Sequence, residues 1–367
     1  MSTELNYAID KLLINLSFLL TKPTGTTNYA LNLLPHFQKI EPILLTSQSL
    51  SNFKCYQVPN NQTSEQGAKG HLRRLLWTQF QLPKIYHQLK SSLLFSPIPE
   101  APIFIDCRYI VTVHDFIPLR FPKPSSPLYH YCRWYLPQVL NQATHIICNS
   151  TATATETIDR FGISASRVTP IPLAYDNNHF YADDVTEIAD PPYFLYLGRH
   201  DPYKNVARII AAFSQLSNGE RYQLWLGGSG DRRYTPQLRA QVAELGLEGR
   251  VKFLEYIPYP ELPQVIRQAR ALVFPSLWEG FGLPVLEAMA CGTPVITSNL
   301  SALVEVAKDA AILVDPYQVK EIASAMYDLS QDDELHRQLR QAGLRRASQF
   351  NWSQTAQATI DVLQQYL

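Results

Sequence analysis

Short apolar runs alternate with helical stretches along the chain. This alternation predicts parallel sheets built from βαβ units. Residues 12–20 (LLINLSFLL) read as a buried first strand. A polar turn, TKPTGTTN, follows, then a helix over 29–37. Residues 42–45 and 53–58 read as short strands, and 71–81 as a helix that Pro83 interrupts. YIVTVH at 109–114 and ATHIIC at 143–148 are further strands, and Asn149-Ser150 cap a helix running to residue 160. Residues 167–173 close this half.

Residues 174–192 turn polar and acidic and end in Asp190-Pro191-Pro192, the best linker in the chain. A second alternating series begins at once. Strands are predicted at 193–197, 223–226, 251–254, 271–274 and 294–297. Helices are predicted at 204–216, 236–245, 260–268 and 284–290, and helices finish the chain, the last over 353–366. In the first of these, Val206, Ile209, Ile210 and Phe213 fall at i, i+3, i+4 and i+7, one apolar face. The expected organisation is two similar α/β domains, 1–178 and 179–350, with 351–367 as a separate terminal segment.

Composition narrows the function classes. A chain of 367 residues with 46% hydrophobic and 17% charged positions is neither disordered nor fibrous. The formal net charge is +0, which gives no support to nucleic-acid binding. The balance hides an asymmetry: residues 1–178 carry 15 basic and 10 acidic side chains, and the remainder 17 and 22. Residues 66–99 contain no acid but include Lys69, Arg73, Arg74, Lys84 and Lys90, interleaved with Trp77, Phe80 and Tyr86. Such a stretch suits an anionic membrane surface. A solvated helix face over a core is the competing reading. The five cysteines are odd in number and contain no CxxC, so a reducing compartment fits and no disulfide or zinc framework is signalled. Residues 12–20 are too short for a membrane span of ~20 residues. Glu4 and Asp10 ahead of them, with no A-x-A site after, argue against a secretory leader.

Seven of the 15 glycines (Gly198, Gly227, Gly228, Gly230, Gly280, Gly282 and Gly292) fall at or near the ends of predicted strands in the second half. In open α/β sheets, ligands bind at those carboxyl ends. Ordinary tight turns are the alternative. A dinucleotide-binding fingerprint is absent, because neither Gly228-Ser-Gly230 nor Gly280-Phe-Gly282 has its third glycine, and no Walker A motif occurs.

The densest segment is FPSLWEGFGLPVLEAMACGTPVIT, residues 274–297. A strand end leads into a loop holding Glu279, Gly280, Phe281 and Gly282, and a helix is expected to open at Pro284 with Glu287 in its first turn. Backbone N–H groups at 281–285 would form an anion site. Two carboxylates beside it could accept sugar hydroxyls, or could merely favour the helix dipole. A second constellation, Gly198-Arg199-x4-Lys204-Asn205, puts two cations on a strand-to-helix loop, suited to a diphosphate.

Together these residues resemble the retaining glycosyltransferases of family 4. Glu279-x7-Glu287 is similar to the family's E-x7-E signature, LGRHDPYKN to its diphosphate-binding loop, LWLGGSGD to its glycine-bearing loop, and VTVHD at 111–115 to a strand end common there. The resemblance implies an α/β, GT-B fold: two Rossmann-like domains facing each other across a cleft, with residues 351–367 crossing back to the first. It implies transfer of a hexose from a nucleotide-diphospho-sugar with retention at the anomeric carbon. Carried over by motif, Glu287 would bind the ribose. Glu279 would face the donor sugar's hydroxyls, beside the amides of Phe281, Gly282 and Leu283. Arg199 and Lys204 would hold the diphosphate, and His114 would lie against the transferring sugar, with Asp115 positioning or structural. Gly25 matches the glycine of the first loop, although Thr24-Gly25-Thr26 replaces the family's frequent glycine pair.

No two aspartates are spaced as D-x-D, so no metal cofactor is expected, and the cations and helix end would stabilise the leaving group. A glycosidase pair flanking the scissile bond is disfavoured, because both glutamates are expected on one helix end beside cations that favour their ionised forms. A non-catalytic nucleotide-sugar-binding protein, an NAD enzyme and a pyridoxal-dependent phosphorylase, for which the chain is short, are the competing functions. Loose similarity to mannosyltransferases of polysaccharide assembly makes mannose from GDP-mannose the expected transfer, with UDP-hexose as the second possibility. A glycan or lipid-linked acceptor is expected, base selection near Tyr256–Glu261, and a cytoplasmic location peripheral to the inner face of the plasma membrane.

Overall fold

The structure is a computed structural model that describes residues 11–20, 25–183, 188–216 and 221–367. The chain divides into two compact units: Met1–Pro172 with Trp352–Leu367, and Leu173–Asn351. Each is built on an all-parallel sheet whose strands are nearly continuous apolar runs, as burial on both faces demands.

The first unit holds β1 (Leu12–Asn15), β2 (Ile43–Thr46), β3 (Lys54–Gln57), β4 (Leu93–Ser96), β5 (Tyr109–Val113), β6 (His145–Cys148) and β7 (Val168–Pro170). Their order is β3-β2-β1-β4-β5-β6-β7. Register is set by pairs such as Ile14 with Leu44 and Phe95. Ser150 caps the helix Thr151–Phe161 by accepting the Thr153 N–H at 3.0 Å. The first strand is four residues long, not nine, and the chain turns sharply after Asn15, whose side chain accepts from Ser17 N–H and O–H. β4 has no counterpart among the predicted strands. Residues 21–24, part of the expected polar turn, lie outside the described residues.

The helix Trp352–Gln364 belongs to this first unit, although the second unit intervenes in sequence. Thr355 donates to the Pro172 carbonyl at 2.8 Å, and the Tyr366 hydroxyl lies 2.9 Å from His145 Nδ1.

The expected helix over 71–81 is two helices, Gly67–Phe80 and Leu82–Gln88. Pro83 is the second residue of the latter, where its missing N–H costs nothing. Arg74 leaves the basic face expected of this stretch. It is buried, and its guanidinium holds the buried Glu100 carboxylate at 2.9–3.1 Å and the Gln62 carbonyl at 3.2 Å. Trp77 and Tyr86 are likewise buried, whereas Lys69, Arg73 and Lys84 remain exposed.

The second unit holds β8 (Tyr193–Leu197), β9 (Gln223–Gly227), β10 (Val251–Leu254), β11 (Ala271–Phe274), β12 (Val295–Ser298) and β13 (Ile312–Val314), ordered β10-β9-β8-β11-β12-β13. Strand order reverses between β1 and β4 in one sheet and between β8 and β11 in the other. In such sheets a ligand crevice lies outside the carboxyl ends at the reversal.

Removing one partner of a buried ion pair leaves the other charge stranded, a loss of about 3–5 kcal/mol. Arg74→Ala is therefore expected to lower the unfolding free energy measured in urea by about that amount, whereas Arg73→Ala leaves it within about 0.5 kcal/mol. Equal unfolding free energies for the two variants would contradict the burial of Arg74.

Candidate active site

In the second unit the reversal brings together the loops after β8 and β11. Lys204 Nζ and Glu279 Oε1 are 2.6 Å apart, both side chains largely buried. The loops are tied by backbone as well. Leu277 N–H donates to the Tyr203 carbonyl at 2.7 Å, and the buried Asn205 amide donates to the Pro275 and Pro316 carbonyls at 2.9 and 2.7 Å. Asn205 takes the left-handed conformation (φ 66°), which asparagine tolerates better than most side chains. Lys204 is expected from sequence to open a helix, and it does not. It ends the 3₁₀ turn Pro202–Lys204, and the helix is Val206–Ser214. The ammonium also lies 5.2 Å from the centre of the Phe274 ring.

Arg199 is mostly exposed. It pairs with Asp201 at 3.1 Å and more weakly with Asp231 at 4.0 Å. Its carbonyl accepts from the buried Tyr196 hydroxyl at 2.6 Å, so the backbone is fixed while the guanidinium stays at the surface. Gly228 seals this loop to its neighbour: a Cβ there would stand 2.1 Å from the Gly198 carbonyl oxygen.

After β11 the helix opens at Leu283, not Pro284, and ends at Ala290. Glu287 is therefore its fifth residue, past the first turn, and the helix has no acid in that turn. The N-terminus is also narrower than the expected 281–285. Pro284 has no N–H, and Val285 N–H already binds the Gly282 carbonyl at 3.0 Å. Phe281, Gly282 and Leu283 supply the amides at this end. Gly282 takes φ 114°, and a Cβ there would meet Leu303 Cδ2 at 2.6 Å. Ser301, which no sequence motif marks, accepts the Glu279 N–H at 3.2 Å while itself at φ 54°. Its role rests on a contact 22 residues away, which no local pattern announces.

The two glutamates differ more than their shared motif suggests. Glu279 sits on a cation. For Glu287 the shift runs against the ionised form expected of it: burial pushes its carboxyl up from 4.5 to about 7.

His114 and Gly25 lie in the first unit. His114 follows β5, and its Nε2 is 2.8 Å from the Pro97 carbonyl, beyond the end of β4. A carbonyl only accepts, so Nε2 carries the proton. Burial lowers the ring's pKa, which keeps it neutral and leaves Nδ1 as an acceptor. Tyr29 meets the ring edge-on at 5.0 Å. Asp115 accepts the Ile117 N–H at 2.9 Å and shapes the turn. Gly25 is the first residue of the helix Gly25–Phe37 rather than part of a loop, with open space where a Cβ would stand.

Among the described residues, no group of three or more His, Cys, Asp or Glu side chains is placed to hold a metal. No helix among them is long and apolar enough to cross a membrane. All five cysteines are free.

Comparison with known proteins identifies the family. The family model for Glycosyltransferase Family 4 matches residues 23–179, and that for glycosyl transferases group 1 matches residues 180–346. The chain belongs to glycosyltransferase family 4. It is 29% identical to O-antigen chain mannosyltransferase B of Escherichia coli, over 92% of this chain and 95% of that protein. It is 26% identical to O-antigen chain mannosyltransferase RfbU of Salmonella typhimurium, over 87% and 91%. Among solved structures, Anabaena HepE in complex with UDP and glucose superposes with a TM-score of 0.75, at 18% identity over 97% of this chain and all of that one. The fold is thus GT-B, and the chain is a glycosyltransferase.

The Glu287 carboxyl gives this site a pH signature. Between pH 4.5 and about 7 the folded chain keeps a proton that the unfolded chain releases. Stability therefore falls as pH rises through that window, by about 3 kcal/mol at ~1.36 kcal/mol per unit. Thermal melts of the ligand-free protein should show this decline, and Glu287→Gln should flatten it. An unchanged slope in the variant would place the titration elsewhere.

Proposed function

We propose that this glycosyltransferase moves mannose, with retention, from a nucleotide-diphospho-sugar to a growing glycan in polysaccharide assembly. The observation that carries the site assignment is the Lys204–Glu279 pair at the β8/β11 reversal, beside a helix N-terminus. The full-length relatives named as O-antigen mannosyltransferases support the sugar and the pathway class. HepE, solved with UDP and glucose, supports a nucleotide-sugar donor.

On this reading Arg199 and Lys204 hold the diphosphate, and the amides of Phe281, Gly282 and Leu283 stabilise charge nearby without a metal. Glu279 accepts donor-sugar hydroxyls and Glu287 those of the ribose. His114 offers its bare Nδ1 to a hydroxyl of the transferring sugar. The acceptor oxygen attacks the anomeric carbon on the face the leaving group departs from. The carbon–oxygen bond to the phosphate breaks, its electron pair goes to the phosphate, and the departing phosphate oxygen takes the acceptor's proton. No enzyme nucleophile enters the scheme.

Lys204→Ala is expected to cut transfer from GDP-mannose by at least about 10²-fold, the scale of losing one preorganised transition-state donor. Donor binding weakens as well. Wild-type turnover by this variant refutes the site.

We also infer that the enzyme works against an anionic bilayer on its cytoplasmic face. On the helix Gly67–Phe80, Leu72, Leu76 and Phe80 follow one another at four-residue spacing and are half exposed or more, flanked by the exposed Lys69, Arg73 and Lys84. Apolar side chains ringed by lysine and arginine suit a headgroup boundary. Flotation with phosphatidylglycerol vesicles, lost in a Leu76→Glu/Phe80→Glu double variant, is the expected result. A wild type that stays with the soluble fraction ends this reading.

A further inference from the structure

A cavity of about 360 Å³ opens at the carboxyl ends of β8, β9 and β10. That volume falls within the roughly 300–1,000 Å³ of small-molecule sites. The loop 228–230 lines it, and so do Phe253 and Glu255 at the end of β10. Arg239, from the helix Thr235–Glu244, lays its guanidinium over the Phe253 ring at 4.3 Å from the centroid. A planar cation backed by an aromatic ring is a stacking platform for a heterocycle.

His200, also in the lining, follows Arg199 directly in sequence, which sets the cavity beside the loop assigned to the diphosphate. The residue is 3% exposed. Its Nδ1 lies 2.8 Å from Thr235 Oγ1, while its Nε2 is enclosed without a hydrogen-bond partner. Buried polar atoms are seldom left so, and one in a cavity wall points to a missing occupant. Glu255 is exposed and contributes a carboxylate, which only accepts hydrogen bonds.

We propose that this cavity receives the base of the donor nucleotide and that Glu255 selects guanine. The inference rests on the donor-site reading given under Proposed function. Guanine presents two adjacent donors, N1–H and the 2-amino group, which one carboxylate accepts together. Uracil flanks its single N–H with two oxygens, and adenine sets a bare nitrogen beside its amino group. Either would push an acceptor against the carboxylate. Base selection thus centres on residue 255 rather than on 256–261. Within that segment Tyr259 already stacks on His179 at 3.9 Å, and its carbonyl lies 2.7 Å from His179 Nε2.

Calorimetric titration of the protein with GDP, IDP, UDP and ADP tests the assignment. GDP should bind at least tenfold more tightly than UDP or ADP. IDP, which lacks only the 2-amino group, should lose most of that advantage. Glu255→Ala, a change at an exposed position, should erase the preference while UDP affinity stays equal or rises. Equal binding of GDP and UDP by the wild type, or a GDP preference that survives in Glu255→Ala, overturns the assignment. Failure of all four nucleotides to bind overturns the donor-site reading, and this one with it.

Discussion

The ion pair between Lys204 and Glu279 is the constraint on which the second unit's site depends. Two largely enclosed charges 2.6 Å apart have given up most of their hydration, and neither is tolerable there without the other. They join loops that leave neighbouring strands of the sheet, so the pair fixes the spacing of those loops at the reversal of strand order. Asn205, bonded to two carbonyls, and the Leu277–Tyr203 backbone bond hold the same seam. A ligand arriving here meets a preorganised surface whose cation is already partnered. Bringing a diphosphate to Lys204 therefore redistributes charge that the fold has set in place.

Much of this is legible in the sequence, because parallel strands buried on both faces leave unbroken apolar runs. β8, β10 and β11 fall at the predicted residues. β4 escapes prediction because LLFS follows two closely spaced helices in one apolar-rich stretch, where periodicity does not separate a short strand from a helix tail. β13 is three residues at a sheet edge, too short for any pattern. The motifs place the right side chains near the right strand ends, while their local geometry differs. A proline motif does not show that Leu283, not Pro284, starts the helix, and that shift of one residue moves Glu287 beyond its first turn.

What the sequence hides is long-range partnership. Arg74 reads as one cation among several, and only Glu100, 26 residues on, makes it an internal charge. Ser301 reads as an ordinary loop serine until its hydroxyl is found on the Glu279 amide. The shared spacing of Glu279 and Glu287 suggests two alike carboxylates, yet one faces an ammonium while burial raises the carboxyl of the other. Environment, not spacing, decides what each can do.

The return of residues 352–364 to the first unit has a consequence for biogenesis. The second unit is contiguous in the chain, so it can complete as soon as it clears the ribosome. The first must wait with the flank of its Gly25–Phe37 helix uncovered until the returning segment is made. The order of synthesis therefore runs opposite to the order of completion, and of the two units the one made first is the last to close.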